Sequence, residues 1–151
     1  MPEKTTIERA RRDARQGKAA STQAGEFVRE EMDHIRAGKH GAASAKQAIA
    51  IGLSKARRAG VKLPAPAKGR TSAATRKKAQ RDVAKGKSRR NPSRQRSRAS
   101  EKALRKQPRR AASSRALSRQ GRQAARRRSP AERSRAAQKA ARTRRHERAA
   151  A

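Results

Sequence analysis

Arg126, Arg127 and Arg128 stand side by side in this chain, and Arg144 and Arg145 form a second such cluster. A guanidinium fork donates two parallel hydrogen bonds to one phosphate, so adjacent arginines are natural phosphate clamps. From Val61 onward the chain carries 23 Arg and 9 Lys against four acidic residues, Asp82, Glu101, Glu132 and Glu147. The candidate phosphate contacts are Arg70, Arg76, Lys77, Lys78, Arg89, Arg90, Arg94, Arg96, Arg98, Arg109, Arg110, Arg126, Arg127, Arg128, Arg142, Arg144 and Arg145. Binding through them would be driven by counterion release, would weaken steeply with salt and would read little base sequence. No aromatic residue lies in this part of the chain, so the stacking platforms of single-strand binders are missing. Duplex DNA is therefore the favoured partner and structured RNA the alternative.

Other chemistry is poorly supplied. The three histidines are His34, His40 and His146, and His34 and His40 are neither at helical metal-ligand spacing nor accompanied by cysteine, which the chain lacks. Glu30 sits one turn before His34 but reads as part of a solvated helix face. The acidic run "EFVREEMDH" reads as charge patterning on a helix or as an intramolecular mask for the basic tail. No phosphate-binding glycine loop, nucleophile elbow or dinucleotide fingerprint occurs. The expectation is a non-enzyme with no catalytic residue, no metal and no cofactor.

The elements that would position these cations divide by charge. Residues 1–60 carry 13 Lys or Arg and 7 acidic residues, a net of +6, whereas residues 61–151 carry a net of +28. Large apolar residues number 14, eleven of them at or before Leu63. Each buried apolar side chain contributes about 1.5–3 kcal/mol, and ordering a residue costs about 1.5 kcal/mol. On that count the C-terminal part cannot pack by itself. The predicted fold is mainly α, a small N-terminal helical hairpin followed by a largely disordered, nascently helical basic tail. Its divisions are a helical extension over residues 1–20, a helix–loop–helix unit over 21–63, a proline-containing linker over 64–70, and the tail over 71–151.

Three helices are predicted before the linker. Thr5 and Glu8 have capping-box spacing and start a helix near Thr6 that ends before Gly17. With only Ile7 to bury, it is expected to fray or lie free. Val28, Met32 and Ile35, with Phe27 beside them, make the apolar stripe of a second helix from about Thr22 to Ala37, stopped by Gly38. Ser44 and Gln47 form another capping box, opening a third helix in which Ile49 and Leu53 face Phe27–Ile35. Gly60 and Val61 are placed to close it as a Schellman motif. Ile51 points about 200° away from Ile49 on such a helix. Phe27, Val28, Met32, Ile35, Ile49, Ile51 and Leu53 are thus the residues assigned to helix-pair packing or dimerisation, with a second copy of the chain expected to cover Ile51. The connection "GKHGAA" is longer than a helix-turn-helix turn, so the pair reads as a docking or dimerisation module. In the tail, Asn91-Pro92 and Ser129-Pro130 place cap and proline in helix-starting order, with Glu132 completing a capping box.

Lys39-His40-Gly41 followed by "KQAIAIGLSKA", Lys46 to Ala56, resembles the hallmark of a family of short basic bacterial proteins of unknown function, over about Gly25 to Pro64. The resemblance implies bacterial origin and a two-helix unit and supplies no catalytic residues. The remainder is similar in composition to the Ala- and Arg/Lys-rich tails of linker-histone-like nucleoid proteins, although it is richer in Arg and lacks regular Pro-Ala-Lys repeats. The combined expectation is a cytoplasmic, nucleoid-associated DNA-binding protein that makes no membrane contact and forms homo-oligomers through its N-terminal helices. A ribosome- or RNA-associated protein, and a protein-interaction module anchored by its tail, are the alternatives.

Overall fold

The computed structural model describes residues 2–88 and 93–149. Among them are seven α-helices, α1 (Lys4–Arg15), α2 (Ala20–Arg36), α3 (Ala45–Arg58), α4 (Ala73–Ser88), α5 (Arg94–Arg105), α6 (Ser114–Arg126) and α7 (Pro130–Ala149), and a short 3-10 helix, Arg109–Ala112. One compact unit spans Met1–Ala116 and another Leu117–Ala151. The expected disordered tail is therefore overturned, since the C-terminal part is helical and ordered. No helix among the described residues is long and apolar enough to cross a membrane.

Three glycines end the first three helices in the same way. Gly17, Gly38 and Gly60 have φ of 69°, 75° and 93°, a left-handed conformation that costs a residue with a Cβ. Each closes a Schellman pair: Lys18 N–H donates to the Asp13 carbonyl, Lys39 N–H to His34, and Val61 N–H to Ala56. The start of α3 is also as read from its residues, because Gln47 N–H donates to Ser44 Oγ at 3.1 Å. The Gln47 side chain reaches back to Ala43 N–H at 2.7 Å, one residue beyond the usual capping box. The start of α1 differs from its prediction. Glu3 is the N-cap, without a side-chain cap bond, and Thr5 lies inside the helix. This helix packs on α2 through buried Thr6, Ala10 and Asp13, with Ile7 against the cluster around Phe27.

The α2–α3 pair is the centre of the first unit, and small residues set its spacing. Along α3 the buried positions are Ala45, Ala48, Gly52 and Ala56, joined by Arg57, while Ile49, Ile51 and Leu53 are half-buried. A Cβ on Gly52 would lie 2.7 Å from Val28 Cα and 3.0 Å from the Phe27 carbonyl oxygen, so the two helix backbones nearly touch there. On α2, Phe27, Met32 and Ile35 are buried and Val28 is half-buried.

The same small-residue packing explains why the segment beyond Pro66 is ordered. Helix α4 lies against α3 with Ala79 and Asp82 buried, and Asp82 accepts a 2.7 Å hydrogen bond from Ser54 Oγ. A Cβ on Gly86 would collide with the Arg57 carbonyl. Ile51 precedes Ser54 by three residues, so α4 occupies the side of α3 to which Ile51 belongs. Arg57 Nε and Nη2 donate to the Leu63 and Pro64 carbonyls at 3.3 and 3.2 Å and hold down the linker. Burial lowers the Arg57 pKa from the usual arginine value, an effect opposed by nearby Asp82, and the group remains a cation at neutral pH. Further on, the 3-10 helix buries Ala111 and Ala112 against α2 and α3. A count of large apolar residues misses all these contacts, because alanine and glycine let backbones approach without contributing to it.

In the second unit the Ser129–Glu132 capping box forms reciprocally. Glu132 N–H donates to Ser129 Oγ at 3.2 Å and Ser129 N–H to Glu132 Oε2 at 2.9 Å. The Asn91-Pro92 start lies outside the described residues.

Gly52→Ala is expected to lower stability by about 1–2 kcal/mol, overpacking outweighing the gain in helix propensity. Gly25→Ala, at an exposed helical position with nothing within 4 Å of the added Cβ, is expected to raise it by about 0.5–1 kcal/mol. Urea unfolding followed by circular dichroism measures both.

Candidate nucleic-acid interface and buried charge cluster

Alternation of cationic and small residues makes α5, α6 and α7 good helices with little to bury, since Ala, Arg, Lys and Gln all favour the helix. Their 16 Lys and Arg residues are exposed, and no described residue of the three helices is fully buried. On α6, Arg115, Arg119, Arg122 and Arg126 recur at i, i+4, i+7 and i+11, one stripe about 16 Å long. The opposite side of α6 carries half-buried Ala116, Leu117, Gln120 and Ala124. On α5, Arg94, Arg98, Lys102 and Arg105 fall on one face, and Arg105 pairs with Glu101 one turn away at 2.8 Å.

The cations named from the sequence are distributed as follows. Arg70 lies in the turn that precedes α4, and Lys77 and Lys78 are exposed on α4, where Arg76 is half-buried. Arg94, Arg96 and Arg98 project from α5, and Arg142, Arg144 and Arg145 from α7. Arg126, Arg127 and Arg128 are exposed at the end of α6 and in the turn after it. Arg89 and Arg90 lie outside the described residues. Arg110 is exposed, while the Arg109 guanidinium rests on Gly38, where an added Cβ would come within 2.7 Å of Nη1. A cation at the C-terminal end of α2 complements the helix dipole, so Arg109 serves the fold as well as offering charge. Arg115, Arg119 and Arg122 are missed by a search for adjacent arginines. Their helical spacing in "SRALSRQGRQAAR" is the signal that finds them.

A second constellation was invisible as such in the sequence. Glu30 and Glu31 are 5% and 0% exposed, so Glu30 is far from the solvated face expected of it. Lys55 reaches in from α3, its Nζ 2.7 Å from Glu31 Oε2 and 3.5 Å from Glu30 Oε1. Glu30 Oε2 accepts the Glu3 N–H at 3.2 Å, placing a carboxylate at the α1 N-terminus where the dipole favours it. Glu3 in turn pairs with His34 Nε2 at 2.8 Å and Lys39 Nζ at 3.2 Å. The hydrogen bond with His34, then that with Lys39, holds the Glu3 carboxyl below its ordinary pKa.

The two histidines, too far apart in sequence for one helix turn, meet because the Gly38 stop turns the chain back. Their rings sit edge-to-face with centroids 6.2 Å apart. Two backbone bonds fix the loop that carries His40, Gly41 N–H to the Leu104 carbonyl at 2.9 Å and Ala42 N–H to Pro108 at 3.2 Å. Glu31, His34 and His40 each offer one ligand atom, all within 4.8 Å of one another.

The acidic run pairs within the first unit. Glu26 meets Arg9 and Arg29, and Asp33 meets Arg36. Lys55→Met should cost about 3–5 kcal/mol by leaving two buried carboxylates uncompensated. Lys39→Met, in an exposed pair, should cost less than about 1 kcal/mol. Denaturant unfolding of the two variants checks the contrast.

No curated protein and no solved structure matches this chain. Residues 3–68, which hold α1, α2, α3 and both prolines of the linker, match the model of a family of unknown function, DUF6496.

Proposed function

We propose that this protein is a non-enzymatic, sequence-tolerant nucleic-acid-binding protein of the bacterial nucleoid that holds duplex DNA through its phosphates. The observation that carries this reading is the set of 16 exposed cations on α5, α6 and α7, against Glu101, Glu132 and Glu147 on the same helices. Helical order spaces the guanidiniums along rods, so each phosphate contact is made with little loss of backbone entropy. Like charges one turn apart destabilise an isolated helix. A polyanion relieves that repulsion, so binding also stabilises the helices that bind. The single aromatic residue, Phe27, is 1% exposed, which leaves the backbone rather than stacked bases as the target. The resemblance of the Lys39–Ala56 run to short basic bacterial proteins, and of the tail to linker-histone-like composition, supports the nucleoid assignment.

Affinity for a 30-base-pair duplex should fall linearly in log–log form with salt. Replacing Arg133, Arg135, Lys139, Arg142, Arg144 and Arg145 of α7 by Gln should make the slope shallower by about 0.9 for each phosphate no longer neutralised, up to about 5. Fluorescence anisotropy across a salt series measures it. A slope unchanged by the six substitutions, or a clear preference for structured RNA in competition, would count against the reading.

A further inference from the structure

We infer that Glu31, His34 and His40 form a binding site for a divalent transition ion of the zinc class, a site independent of the phosphate-binding helices. His40 Nδ1 lies 3.2 Å from the Gly41 carbonyl oxygen, so Nδ1–H donates there and Nε2 keeps its lone pair. That Nε2 faces Glu31 Oε1 across 3.5 Å. Two electron-rich atoms confront each other where Glu31 is fully buried and its Oε1 accepts no hydrogen bond. A cation belongs between them. Were it a proton, the charge-assisted bond would draw the pair to about 2.7–2.9 Å. Ligands on a tetrahedral ion with bonds of about 2.0–2.1 Å stand about 3.3 Å apart, near the 3.5 Å of this pair, in a set whose three ligand atoms lie within 4.8 Å of one another.

His34 is prepared in the same way. Its Nε2 is 2.8 Å from Glu3 Oε1, so Nε2–H donates to that carboxylate and the lone pair falls on Nδ1. On that side lies buried Glu30 Oε1, 3.9 Å from Nδ1 and 3.5 Å from Lys55 Nζ, so that oxygen belongs to the ammonium. Glu3 and the Gly41 carbonyl orient the two rings from behind. Lys55 occupies Glu31 Oε2 and leaves Oε1 to the ion. Two imidazoles with one carboxylate match the borderline ligand set that zinc, cobalt and nickel prefer, whereas magnesium and calcium demand oxygen alone. An ion here would tie α2 to the 39–42 loop, which itself grips the backbone at Leu104 and Pro108.

Titration of the full chain, free of nucleic acid, with Zn²⁺ and with Co²⁺ tests this. The expected result is one equivalent bound, a tetrahedral Co²⁺ visible spectrum, a raised Tm, and Zn²⁺-induced shifts of the ring ¹⁵N signals of His34 and His40. His146, exposed on α7, serves as the internal control. Glu31→Gln and His40→Gln should weaken Zn²⁺ binding more than about tenfold, and His146→Gln should leave it unchanged. Because the nitrogen shifts are read on the unsubstituted protein, the test holds even if a variant fails to fold. Absence of stoichiometric binding, or shifts confined to His146, would overturn the proposal. Either result leaves the phosphate-binding reading untouched, since none of the α5–α7 cations takes part.

Discussion

The near-contact of α2 and α3 at Gly52 sets the spacing on which the rest of the first unit depends. With a Cβ 2.7 Å from Val28 Cα excluded, the two backbones approach closely enough for Lys55 to reach Glu30 and Glu31. Those carboxylates are buried only because that ammonium meets them, since an uncompensated buried charge is too costly to keep. The same spacing lets small residues of α4 and of the 3-10 helix close over α3 and α2. Burial in this protein is mostly alanine and glycine around one phenylalanine, and it works by proximity of backbones rather than by bulk.

Charge is partitioned by that architecture. Carboxylates are used inside the fold: Glu26 with Arg9, Glu30 and Glu31 with Lys55, Asp13 with Lys18, Asp82 with Ser54, and Glu132 as a helix cap. The cations of α5, α6 and α7 are left facing water. A formal charge of +34 is therefore compatible with an ordered chain, because the cations of α5, α6 and α7 are spread along solvated helices.

What could be read from the residues was what is local. The Ser44 cap, the Ser129–Glu132 box, the glycine stops and the Val28–Met32–Ile35 stripe depend on neighbours within one or two turns, and they stand in the structure. The start of α1 failed because Glu3, drawn to Glu30, Lys39 and His34 of distant turns, overrode the Thr5–Glu8 spacing. The order of α4 and the 3-10 helix escaped the sequence because alanine and glycine packing carries no hydrophobic periodicity. The meeting of His34 and His40 depends on a left-handed glycine and on backbone bonds to Leu104 and Pro108, more than sixty residues away. The phosphate-binding cations were visible as composition, and their arrangement on helical faces became visible once the helices were ordered.

The central claim is that an ordered, helical set of cations holds the phosphates of a duplex. Titrating the isotope-labelled full chain with duplex DNA, while following arginine side-chain Nε–H signals and helical circular dichroism together, tests it most directly. The account predicts shifts concentrated in the arginines of α5, α6 and α7 with helix content nearly unchanged. Shifts confined to α1–α3, or a large rise in helix content on binding, would contradict it.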